Sequence, residues 1–281
     1  MSKEKIVAAL CLLPFFVILF FFMILPLIYI FIDAFWVELD EKWGFDNFTR
    51  ILDSKFYMQS IKQILQISFI SSCLGLVIGL FASYSLYALK EGKIAKAILA
   101  YNAMISNFAG VPLAFAFIIV LGSNGVFNVF LKSVGIEPFF SVYENLGINI
   151  VYVYFQIPLA ILLLFPVFKS LDLSHKQASS LLGANIRQYS FKIALPLLAP
   201  AIISVFVVLF ANALGAYATI YALSAGNFNL IPIRIAALIA GDINLDPYLA
   251  SALSLFLVVI MAFVTLIGNF LSKKYDFKAL K

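Results

Sequence analysis

Six stretches of the chain are apolar almost without a break. They run over about 6–32, 62–89, 97–121, 147–168, 197–223 and 248–271. Each is long enough to cross roughly 30 Å of hydrocarbon as a helix. None contains Asp, Glu or Arg, and Lys62 sits at the mouth of the second. The first run follows Ser2-Lys3-Glu4-Lys5, which gives it the basic start of a signal peptide. It continues for about 27 residues with no small-residue cleavage site after it, so it reads as a retained helix. Pro14 and Pro26 lie inside it, which neighbouring helices tolerate in a membrane. The pattern predicts an all-α, six-span membrane protein forming one transmembrane domain over 1–281.

Composition agrees. Of the 281 residues 64% are apolar and 12% charged, with a mean hydropathy of +1.05. An ordinary soluble domain has about 45–50% and about 25%. Six spans put both ends on one side. With both ends cytoplasmic, the inside carries 13 of the 19 basic residues and the outside 10 of the 14 acidic ones. The inside then nets +9 and the outside −4. The positive-inside rule selects this orientation. The overall charge of +5 is therefore a by-product of topology, and nucleic acid drops out as a partner. Cys11 and Cys73 lie in apolar runs and suggest neither a disulfide framework nor a metal site.

The external loops hold turn signals and aromatic residues. Loop 33–61 contains Trp36, Trp43, Phe45, Phe48 and Tyr57, which suits an interfacial cap or a docking surface for an external partner. Segment 122–146 brackets a short apolar stretch, 126–134, that reads as an interfacial helix. In 224–247 a short helix is expected from Pro232, closed by Asp246-Pro247. Arg234 there is a partner for Asp242, a lipid-phosphate contact or a cargo contact.

The largest cytoplasmic loop is 169–196. Ser174 is a plausible N-cap, Ala178 and Ser179 are small enough for close approach, and Gly183 breaks the helix. A second helical turn is expected to run to Leu195, with Pro196 opening the fifth span. The element is either a compact knob for a groove on another protein or an ordinary interhelical loop. The stretch resembles the EAA loop of binding-protein-dependent ABC importer permeases: Glu-Ala-Ala, three residues, Gly, then Phe and Leu-Pro. Here Gln177-Ala178-Ser179 stands for Glu-Ala-Ala. Gly183 takes the Gly position and is followed by Ala184, Phe191, Ile193, Leu195 and Pro196. The departures are Gln177 for the usual Glu, Ser179 for Ala, and Leu182 where an acid is common. The resemblance implies a type I importer permease fold, a coupling helix at 177–183, and an assembly of known kinds of subunit. These are a second permease subunit, hetero- or homodimeric, two ATP-binding subunits and an extracytoplasmic solute-binding protein.

No Gly-x-x-x-x-Gly-Lys-Ser/Thr run occurs, so ATP is expected to be hydrolysed by a partner, with no cofactor on this chain. The spans hold almost no ionisable groups, which argues against a proton- or sodium-coupled secondary transporter. His175, the only histidine, has no evident nucleophile beside it, which argues against a membrane enzyme. Uncharged polar residues do share helix faces. Asn149, Tyr152 and Gln156 share one, Tyr217 and Tyr221 another with Asn212 a turn earlier, and Asn102 and Ser106 a third beside Asn107. Each either bonds helix to helix or lines a pathway. Residues 210–219 and 229–234 resemble permeases of the spermidine/putrescine group, which implies a polyamine-like cargo. Related permeases for iron, phosphonate, sulfate or sugar share much of that pattern.

Overall fold

The computed structural model describes residues 3–37, 41–89, 92–137, 140–171, 173–241 and 245–275. The side chains of 3–10, 173 and 275 are outside that description. The chain begins with α1 (Lys3–Leu19), a π-helical turn at Phe20–Ile24, and α2 (Leu25–Ala34). A two-stranded antiparallel ribbon follows, β1 (Trp36–Val37) and β2 (Lys42–Trp43), with Trp36 opposite Trp43. Then come α3 (Asp46–Asp53), α4 (Lys55–Ala88), α5 (Lys93–Ser106), α6 (Val111–Leu121), α7 (Val126–Ser133) and α8 (Asn145–Lys169). After α9 (Leu173–Leu181), α10 (Ile186–Tyr189) passes through a π turn at Ser190–Ala194 into α11 (Leu195–Leu214). The last elements are α12 (Ala218–Ser224), α13 (Ile231–Ala240) and α14 (Pro247–Tyr275).

Among the described residues, six helical stretches are long and apolar enough to cross a membrane: Cys11–Ala34, Lys55–Ala88, Val111–Ser133, Asn145–Lys169, Ile186–Leu214 and Pro247–Lys274. The third differs from the expected 97–121, which is two helices, α5 and α6, interrupted at 107–110. Asn128 of α7 donates to the carbonyls of Leu121 (3.1 Å) and Gly122 (2.9 Å), folding α7 back onto the end of α6. We therefore take α5 and α6 as the crossing and α7 as the interfacial helix expected at 126–134. Its Val126, Val129 and Phe130 are exposed and its Asn128 buried. The fifth expected span, 197–223, is also interrupted, at Gly215-Ala216-Tyr217.

The fifth helix also starts earlier than expected. Pro196 does not open it; Asn185 does, through a capping box with Gln188. The π turn before Leu195-Pro196 has a counterpart before Leu25-Pro26. Proline removes an N–H and crowds the preceding turn, and an inserted π residue relieves that crowding without ending the helix. Ser174 lies inside α9 rather than at its N-cap, because Leu173 is already helical.

The chain divides into two compact units. One comprises Met1–Ser60 and Arg234–Ile260, the other Ile61–Ile233 and Met261–Lys281. In the first, Asn47 is buried and donates to the carbonyls of Ala34 (3.3 Å) and Trp36 (2.8 Å), tying α3 to the end of α2. Arg50 pairs with Asp246 at 2.9 Å. Arg234 lies over the ring of Phe56, 4.7 Å from its centroid, and burial lowers its pKa from the ordinary guanidinium value. The expected partner Asp242 lies outside the described residues.

In the second unit α8 is the central element, packed by α5 and α11. A Cβ added at Gly75 would fall 2.6 Å from the Cβ of Gln156, and one at Gly79 2.5 Å from that of Ala160. Gly75 and Gly79, four apart, thus let α4 lie against α8 at backbone distance. Without a hydrophobic drive between helices in lipid, such close packing carries much of the association. Replacing Gly79 by Leu forces the two helices apart, at a cost of about 1–3 kcal/mol. The expected result is a lower melting temperature for the detergent-purified protein; unchanged melting would rule out the close approach.

Candidate functional site

Two groups of residues carry the functional expectations, and both lie in the second unit. In the loop, α9 ends in a Schellman motif: the Ala184 N–H donates to the Ser179 carbonyl and the Gly183 N–H to the Ser180 carbonyl, each at 3.0 Å. That turn needs a left-handed residue, and Gly183 supplies it with φ of +77°. A Cβ there would meet nothing within 4 Å. Gln177 and Ala178 are exposed, and Ser179 is buried with its hydroxyl bonded to the Lys176 carbonyl at 2.8 Å. Phe191 and Leu195 are exposed, and Ala184 and Pro196 half-buried. Leu181 and Leu182 form the tip, 89% and 88% exposed. Leu181 was not singled out in the sequence; its neighbour to the break, Leu182, was.

The result is a short helix, a tight turn and a capped second helix, presenting two bare leucines. From 173 to 196 the loop carries Lys176, Arg187 and Lys192 and no acidic residue.

The second group surrounds the helix interruptions. Tyr152 is fully buried and donates to the Ala216 carbonyl at 3.0 Å. Gln156, also fully buried, donates to the Leu209 carbonyl at 2.6 Å and to Ser72 Oγ at 3.4 Å. Its Oε1 accepts from Asn212 Nδ2 at 3.2 Å. Gln156 and Asn212 therefore belong to one network joining α4, α8 and α11, and Tyr152 separately ties α8 to the interruption after α11. Asn149 stands apart: its Nδ2 donates to the Asn145 carbonyl, and its Oδ1 is buried without a hydrogen-bond partner. Tyr217 and Tyr221 stack at 5.1 Å, half-buried and exposed respectively. Asn102 donates to the Pro158 carbonyl at 2.9 Å, fastening α5 to α8.

The two interruptions meet. The Gly110 N–H, just before α6, donates to Thr219 Oγ1 in α12 at 2.9 Å. Gly110 has φ of +73° and ψ of −144°, a conformation open to glycine alone. Thr219 and Gly110 were not expected as site residues. Their signal was Gly110 with Pro112, and Gly215, inside otherwise apolar runs. Deleting the Tyr152 hydroxyl (Tyr152→Phe) or the Thr219 hydroxyl (Thr219→Val) removes one bond worth about 0.6–1 kcal/mol. A cysteine placed at Ala216, with Cys11 and Cys73 replaced by Ala, is then expected to react about three- to fivefold faster with a thiol reagent. An unchanged rate would show that these bonds do not hold the interruption.

No protein-family model matches the chain. Relatives by sequence are transport permeases. The chain is 28% identical to the ferric transport system permease protein FbpB of Actinobacillus pleuropneumoniae, over 92% of this chain and 37% of that protein. It is 24% identical to the thiamine transport system permease protein ThiP of Escherichia coli, over 81% and 42%. It is 25% identical to the trehalose/maltose transport system permease protein MalF of Thermococcus litoralis, over 94% and 93%. The chain thus spans about two fifths of the length of the first two. Among solved structures, a bacterial ABC transporter that imports alginate matches with a TM-score of 0.77 at 19% identity, covering 98% of this chain and 97% of that one. The MetNI methionine ABC transporter matches at 0.61 and 15%, covering 78% and 95%.

Proposed function

We propose that the chain is an ABC transporter permease, a multi-pass protein of the bacterial inner membrane that forms half of the pathway of an ATP-driven importer, as its sequence relatives and six apolar helices support. The observation that carries this is the loop 173–196: a helix, a left-handed Gly183 and a capped second helix, with Leu181 and Leu182 bare at the tip. Residues 177–183 with Ala184, Phe191, Leu195 and Pro196 are the coupling element, seated in a groove of an ATP-binding subunit. Gln177 makes neutral hydrogen bonds there and no ion pair. The loop's charged groups are basic, so an acidic rim on that groove is its complement.

Both termini face the cytoplasm, and residues 1–281 act as one permease. A second permease completes the pathway, and a solute-binding protein docks outside. Asn149, Tyr217 and Tyr221 are the groups available to a pathway. Tyr152, Gln156 and Asn212 shape it by holding the interruption at 215–217. This chain does no covalent chemistry, binds no cofactor and leaves ATP hydrolysis to its partners. A polyamine-like cargo is the finer reading, supported by residues 210–219 and 229–234 and by the acidic external loops. The relatives are named for ferric iron, thiamine and trehalose/maltose, so these belong in the same uptake assay.

Gly183→Trp is expected to abolish ATP-driven uptake in proteoliposomes holding the partner subunits, while membrane insertion stays intact and the melting temperature falls by only a few degrees. A left-handed non-glycine residue costs about 1–2 kcal/mol and reshapes the tip. Normal uptake by the variant would sink the coupling role, and uptake without any ATPase would sink the importer reading.

A further inference from the structure

The second unit holds a large groove; Phe191 and Leu195 of the coupling element lie along one side of it, and the rest of its lining has no part in the transport reading. It has a volume of about 1030 Å³ and runs between α4, the end of α8 and residues 186–202. Its walls are aromatic and aliphatic: Val77, Phe81 and Tyr84 on α4, Phe165 on α8, Tyr189 and Phe191 on the far side. Phe81 and Phe191 are each 71% exposed. From Val77 to Ala88 the α4 wall spans eleven helical steps, about 16 Å at 1.5 Å per residue. That is close to the hydrocarbon depth of one leaflet, half of roughly 30 Å. The lining residues include two charged groups, Lys169 and Lys176, both at the end predicted to face the cytoplasm. The Lys169 ammonium lies 5.5 Å from the centroid of the Phe165 ring, another lining residue.

We propose that this groove binds an anionic phospholipid of the cytoplasmic leaflet, with an acyl chain against the aromatic wall and the headgroup phosphate between Lys169 and Lys176. The chemistry selects this occupant. A small soluble anion would gain nothing from an apolar wall a leaflet deep. A second copy docked symmetrically through the same face would offer Lys169 and Lys176 no acidic partner, because the lining holds none. A phospholipid matches both the apolar depth and the basic mouth, and Tyr84, Tyr87 and Tyr189 supply the amphipathic rings that favour the headgroup zone. The lipid then contacts α4, α8 and the helix leaving the loop, so it becomes part of the surface on which the loop rests.

The inference relies on the cytoplasmic orientation proposed above, and its test reads lipid binding rather than uptake. The full chain in a neutral detergent is titrated with phosphatidylglycerol and with phosphatidylcholine and followed by native mass spectrometry. A photoactivatable phosphatidylglycerol then maps the contact. Saturable, selective binding of phosphatidylglycerol is expected, with cross-links on peptides 77–88, 165–171 and 186–202. Affinity should fall about tenfold or more in K169Q/K176Q and stay unchanged in K273Q/K274Q, a basic pair on α14 outside the groove. Equal binding of both lipids, equal losses in the two double variants, or cross-links elsewhere would overturn the site. So would copy-to-copy cross-links through Phe81 and Phe191. Labelling of a cysteine at Lys176 from outside intact cells would overturn the orientation alone.

Discussion

In hydrocarbon there is no water to receive a backbone N–H or C=O, so an interrupted membrane helix needs a partner for every group it frees. Two of the spans here are interrupted, at 107–110 and at 215–217, and the surrounding structure answers that demand. Gly110 gives its N–H to Thr219, and the Ala216 carbonyl takes the Tyr152 hydroxyl. Each interruption is thus completed by a side chain from another helix: α12 serves the first and α8 the second. Neither tolerates independent movement, because shifting α8 strands Ala216 and shifting α12 strands Gly110.

That coupling depends on how tightly α8 is held. Gly75 and Gly79 bring α4 to backbone distance, Gln156 crosses to Ser72 and Leu209, and Asn102 fastens α5 to the Pro158 carbonyl. The bonds are neutral, which a low-dielectric medium allows at far smaller cost than a charge. The rigid part of the unit is therefore α4, α5, α8 and α11. The parts with backbone left over to rearrange are the two interruptions and the loop 173–196.

The helical class and the six apolar stretches were legible because the apolar runs are long and uncharged. The short helix α7 was legible from the turn signals around 126–134, and the loop's break from Gly183. The two interruptions were not, because hydropathy averages over them: Asn107-Phe108-Ala109-Gly110 and Gly215-Ala216-Tyr217 are small or apolar and leave a run looking continuous. The start of the fifth helix was misplaced because Pro196 is a strong punctuator in water. A π turn one step earlier absorbs it here, and the capping box at Asn185 was overlooked. Among the polar residues, spacing placed Tyr152 and Gln156 on one face with Asn149. It carried no information about depth, and burial sends those two to neighbouring helices while Asn149 keeps an unpartnered oxygen.

The loop raises a separate question of grip. An acidic anchor would fix a coupling helix by an ion pair, whose strength falls with ionic strength when exposed. Gln177 gives that up, and the acidic position often found before the glycine is Leu182. What remains is area: Leu181 and Leu182 at the tip, and Ala178 beside them with little side chain to keep a partner away. Burying two leucines is worth about 1.5–3 kcal/mol each, against about 0–1 kcal/mol for an exposed ion pair. In the proposed coupling role, a loop of this composition replaces one ion pair by an apolar contact, and the salt dependence left to its docking comes from Lys176, Arg187 and Lys192 alone.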